Sequence, residues 1–204
     1  MNMEQMMRLV DASHLLNNTL TSSLREIDRM ALNALVLVKR QGSTLAGYGI
    51  VAQAFRERAA FLKEAAHEMQ SYVSPLIQTQ LHVLKYTRMA DSYARQVKHV
   101  NTTNCPSLEC TYKQWKQNAA TKEAEAHRLL QHLLHAVVRV EEGINEQEYV
   151  VVNGRIEAAL SEGIGVPLAR VSDEMGVAVE KVHQAISDYR YQLEEFYDEN
   201  SADI

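Results

Sequence analysis

Apolar residues recur along the first hundred positions at steps of three and four. From Met6 the series runs Met6, Leu9, Ser13, Leu16, Leu20, Ser23, Ile27, Met30, Ala34, Leu37, Gln41. From Tyr48 a second series runs through Val51, Phe55, Leu62, Ala65, Met69, Tyr72, Leu76, Val83, Tyr86, Ala90, Tyr93 and Val97 to Val100, with only Arg58 and Thr79 polar. A mean spacing of about 3.5 held this long is the seam of a coiled coil. Between the series lies Arg40-Gln-Gly-Ser-Thr-Leu-Ala-Gly47. Gly42 suits a left-handed C-terminal cap, and Ser43 or Thr44 suits the N-cap of the next helix. The pattern therefore predicts an antiparallel coiled-coil hairpin over residues 1–100, with its tip near 40–48.

The second arm is longer than the first. Folding about Ser43 leaves residues beyond about Lys85 without a partner on the first arm, although their stripe continues. Cover must come from the later chain or from another copy, and a dimer or larger homo-oligomer is expected. Pro75 lacks a backbone N–H, and after Ser74 it reads as a kink or a fresh helix start.

Asn101-Thr-Thr-Asn-Cys-Pro-Ser107 is the clearest break, so 101–110 is read as a linker. A long helix over 111–153 then carries Ala126, Leu130, Leu133, Val137, Val140 and Ile144 on one side, to pack on the hairpin. Val150-Val-Val-Asn-Gly154 is a β-branched run ending in a turn dipeptide, which predicts the end of that helix. From Arg155 the chain has eleven acids against four bases, so 154–204 is expected to be a small acidic helical unit. The fold class that results is all-α: a coiled-coil hairpin followed by a helical C-terminal region.

Charge and composition narrow the function. A net charge of −5 disfavours a general phosphate-neutralising surface, so nucleic acid is not the expected partner. Two cysteines are too few for a disulfide scaffold and point to a reducing, cytoplasmic setting. The opening MNMEQMMRLVDASH has no basic start followed by an apolar block, so no signal peptide is expected. No apolar run is long enough to span a membrane.

The hairpin tip carries the most specific pattern. From Ile27 it reads IDRMALNALVLVKRQGSTLAGYGIVAQAFRERA. Ala31-Leu32-Asn33-Ala34, Val36, Arg40, Gly42, Gly47, Tyr48, Val51-Ala52, Arg56 and Ala59 make this stretch resemble the cytoplasmic signalling tip of bacterial chemoreceptors, the methyl-accepting chemotaxis proteins. The resemblance covers about residues 27–59. It implies a hairpin that docks the chemotaxis histidine kinase and its coupling protein. Asn33, Arg40, Ile50, Val51 and Arg56 would be the partner-binding residues. Ile50 and Val51 would supply apolar contacts, and Arg40 and Arg56 charge and register. Leu37 and Ala54 replace glutamates of the family, Lys39 a small residue and Leu45 a glycine, which places the family's trimer contact in doubt. Glu141-Glu142 and Glu194-Glu195 lack the small residues that follow methylatable pairs.

Other motifs are weaker. His82, Cys110, His132 and His135 invite a zinc reading, because Cys110 to Trp115 has the spacing of a zinc domain attached to some chemoreceptors. The preceding Leu-Gly-Lys of that domain is absent, however, and no metal or cofactor is assigned. Val166 to Ile186 resembles a helix-turn-helix with Met175-Gly176-Val177 as its turn. Its acidic surroundings oppose DNA binding. No phosphate loop, nucleophile elbow or convincing Cys–His arrangement is present, so the chain is not expected to be an enzyme. The expectation is a cytoplasmic signalling adaptor. The alternatives are a structural coiled-coil assembly protein and, further off, a helix-turn-helix DNA-binding regulator.

Overall fold

A computed structural model describes residues 3–99, 106–161 and 165–201. These residues form four α-helices and no strand: α1 Met3–Gln41, α2 Ala46–His99, α3 Pro106–Leu160 and α4 Val166–Ser201. Contact partners show how the helices run. Val38 approaches Gly49, Arg56 pairs with Asp28, and Gln70 hydrogen-bonds Asn17, so α1 and α2 pass in opposite directions. The same holds for α2 and α3 through Gln147 to Phe55, Arg139 to Glu68 and Tyr86 to Trp115. Arg155 to Asp173 and Arg190 to Glu141 orient α4 against α3, and Ser13 to Tyr189 closes α4 onto α1. The result is an up-down-up-down four-helix bundle with the α1–α2 and α3–α4 turns at one end.

The stripes explain the core. Leu9, Leu16, Leu20, Ile27 and Met30 of α1 meet Phe55, Leu62, Met69 and Leu76 of α2. Leu130, Leu133, Val137, Val140 and Ile144 of α3 and Met175, Val179, Val182, Ile186 and Leu193 of α4 join the same cluster. The serines in the first stripe are buried with it. Ser13 Oγ donates to the Leu9 carbonyl at 2.7 Å, which uses its only proton. The Tyr189 hydroxyl, 2.8 Å away, therefore donates to Ser13. Burial pushes the Tyr189 phenol up from 10.0 to about 12, the Ser13 bond lowering it in part. The neutral phenol is thus favoured in the folded chain. The stabilisation is complete below pH 10 and drains as pH rises from 10 to about 12. Chemical denaturation should show about 2–3 kcal/mol lost across that window, and Tyr189→Phe should flatten the loss.

Gly42 ends α1 with φ +71°, the left-handed cap expected of it, and a 3-10 turn over Gly42–Leu45 leads into α2. Three sequence expectations change. First, α2 continues through Pro75, whose ring sits on an exposed position. The backbone acceptor that it leaves unpaired can turn to water. Second, α3 begins at Pro106 and runs to Leu160, so 106–110 is helix rather than linker and Gly154 is no boundary. Residues 101–105 of that expected linker lie outside the described residues. Val151 packs into the core and Gly154 faces α4, so packing overrides the weak turn signal. Third, α4 is unbroken through Met175-Gly176-Val177, so there is no helix-turn-helix and 154–204 is not a separate unit. Gly176 lies where Val151 and Arg155 of α3 come close.

α3 runs along the long stripe of α2, so the later chain supplies part of its cover. Beyond the reach of α1 and α4 the two long helices continue as a two-helix arm. Residues 84–99 of α2 extend it by about 24 Å. Among residues 81–96 only Ala90 is buried, and none of 106–125 is. Trp115 lies 5.4 Å from Tyr86 across the arm, and its indole N–H is shielded without an acceptor. No helix among the described residues is long and apolar enough to cross a membrane.

Candidate functional site

The end of the bundle that carries the two turns has its own small core. Ala34, Leu45, Tyr48 and Ala52 of the first hairpin pack with Ala158 and Leu168 of the second. Tyr48 is fully buried and its hydroxyl donates to the Leu168 carbonyl at 3.1 Å. Ser172 Oγ lies 2.7 Å from the same oxygen and donates to it. Burial raises the Tyr48 phenol above its ordinary value, with the Ser172 bond opposing and the Asp173 charge adding to the rise.

Two leucines of the tip belong to this cluster: Leu45 is buried in it and Leu37 packs against it. A glutamate at Leu37 would face apolar surface supplied by the first hairpin and by α3 and α4. Apolar side chains at these positions fit a tip that is covered by the rest of its own chain.

The five sequence-derived site residues fall into two groups. Asn33, Arg40 and Ile50 are exposed, Ile50 by 75%. Val51 is buried, within 3.4 Å of where a side chain on Gly154 would begin, so it is a core residue and cannot serve as a docking contact. Arg56 is half-buried and ion-paired to Asp28 of α1 at 3.2 Å. Its charge holds the hairpin together rather than standing free for a partner. The pair is partly solvated, so its contribution is about 1 kcal/mol at most.

One feature of this end was not read from the sequence. Tyr149, Val152, Ile156 and Leu160 are exposed by 72%, 49%, 50% and 71%. Their spacing of three, four and four puts them on one face of α3, opposite the face of Val151 and Gly154. Gly47 beside Glu157 and Phe55 beside Gln147 fix the register, so Ile50 stands level with about residue 154. A single exposed isoleucine of α2 therefore stands level with the apolar face of α3. Its sequence signature is a second apolar series at helical spacing, overlapped by the β-branched run around Val151.

The zinc reading is not supported by placement. Cys110 and His132 are 22 residues apart on the single helix α3, roughly 33 Å along its axis. His132 stacks on Tyr72 and His82 lies against Tyr86. Among the described residues one group brings three potential metal ligands together: Glu148, Glu180 and His183. It joins α3 to α4. No family model matches the chain, and neither a curated protein nor a solved structure matches it.

Proposed function

We propose that the chain is a non-enzymatic, cytoplasmic signalling adaptor whose turn-bearing end docks a chemotaxis-type histidine kinase and its coupling protein. The observation that carries this reading is the exposure of Ile50 inside the receptor-like stretch, level with the apolar face of α3. Solvent-facing apolar residues on two adjacent helices are costly to leave in water and are characteristic of a helix-docking surface. The exposed Asn33 and Arg40 at the same end supply polar contacts at its rim. Input would enter through the four-helix body, since the second hairpin packs directly on the tip.

The test is retention of the purified chain on immobilised coupling protein. Ile50→Glu should abolish retention while leaving helicity and melting nearly unchanged, because exposed positions shift stability by about ±0.5 kcal/mol. Normal retention of the variant would sink the tip-docking reading. A structural assembly role is the second reading, and the two-helix arm favours it, with Leu81 and Met89 exposed and Trp115 carrying an unpaired N–H. Removal of the arm would then abolish self-association, whereas Ile50→Glu would leave it intact.

A further inference from the structure

We propose that Glu148, Glu180 and His183 bind a divalent transition metal of the zinc class and so staple α3 to α4. Glu180 and His183 are three residues apart on α4, which puts both on one face. Glu148 reaches them from α3. His183 Nδ1 lies 3.4 Å from Glu148 Oε1, and one ligand atom from each of the three residues falls within 4.8 Å of the others.

These distances suit a shared cation. Zinc bonds to imidazole nitrogen and carboxylate oxygen are about 2.0–2.2 Å long, so two ligands at a tetrahedral angle stand about 3.4 Å apart. The His183–Glu148 separation already has that value. Glu180 is exposed, so a side-chain rotation closes what is left without disturbing the core.

The chemistry points the same way. One imidazole with two carboxylates is a donor set for zinc and its neighbours, whereas magnesium and calcium prefer oxygen alone. The carboxylates of Glu148 and Glu180 approach one another beside the imidazole, and a divalent ion between them would offset their like charges. Glu148 and Glu180 also line a cavity of about 550 Å³ together with Val151, Val152, Arg155 and Lys181.

The test uses the full chain with Cys105→Ser and Cys110→Ser, which removes both thiols, stripped of metal and titrated with Zn²⁺ alone. One equivalent should bind and raise the melting temperature. Glu180→Gln and His183→Gln should each weaken binding by about tenfold or more with metal-free melting unchanged. His135→Gln should bind as the parent does, and millimolar Mg²⁺ should not compete. Failure to saturate with Zn²⁺, unchanged affinity in both ligand variants, loss of binding in His135→Gln, or displacement by Mg²⁺ would each overturn the proposal. Should His183→Gln fold poorly, the exposed Glu180→Gln decides alone.

Discussion

Val51→Glu should unfold the bundle at ordinary temperatures, whereas the same substitution one residue earlier, Ile50→Glu, should leave it folded. Val51 is 8% exposed and sits where α2 meets α3 at Gly154. A carboxylate there must either shed its hydration or take up a proton, and a side chain reaching two atoms further must also be accommodated. The combined cost is on the order of 4 kcal/mol or more, a large share of the stability of a typical domain. Ile50 already faces water, so glutamate there exchanges one solvated side chain for another. Thermal melts of the two variants side by side are the check. Equal melting temperatures would mean that the face of α2 is misassigned.

Gly154→Val should lower the melting temperature by roughly 10 °C or more. A Cβ at position 154 would stand 2.6 Å from Ser172 Oγ and 3.4 Å from Val51 Cγ1. Ser172 cannot simply rotate away, since its hydroxyl is bonded to Tyr48. Moving it removes the hydrogen bond that the Tyr48 oxygen accepts, at a cost of about 1 kcal/mol, and overpacking α3 against α4 adds about 1–3 kcal/mol. Gly154→Ala is the finer test. Alanine gains about 1 kcal/mol in helix propensity over glycine, so its net effect should be smaller than that of valine but still destabilising. A stabilised Gly154→Ala would show that α3 and α4 have slack at this crossing.

Gly154 also shows where local reading fails. A valine run ending in Asn-Gly is a turn signal when only neighbours in the chain are considered. In the fold it is about the thirteenth turn of one long helix, and the glycine is needed because another helix passes close to it. Gly176, a candidate turn residue in the sequence, likewise lies inside α4 where Val151 and Arg155 of α3 come close. By contrast, Gly42 had no competing role, and its capping was legible from sequence. The same division runs through the candidate site. Exposure of Ile50 follows from its place next to the stripe residue Val51, and both were legible from periodicity. The loss of Arg56 as a free partner contact was not, because its ion-pair partner, Asp28, is 28 residues away in sequence.

What the sequence determined by itself is the helical character of the chain and the faces that its helices bury. Periodicity and caps are local properties, set by 3.6 residues per turn and by a single left-handed glycine. Which helix covers which stripe was decided only by the tertiary structure. A seam of apolar residues specifies that it must be buried but not by what: a second copy and a later segment of the same chain satisfy the hydrophobic effect equally. Here α3 and α4 close on the first hairpin, cover its tip through Leu37, Leu45 and Leu168, and bring Glu148 beside His183. No spacing rule announces such meetings, because they depend on where separate helices cross.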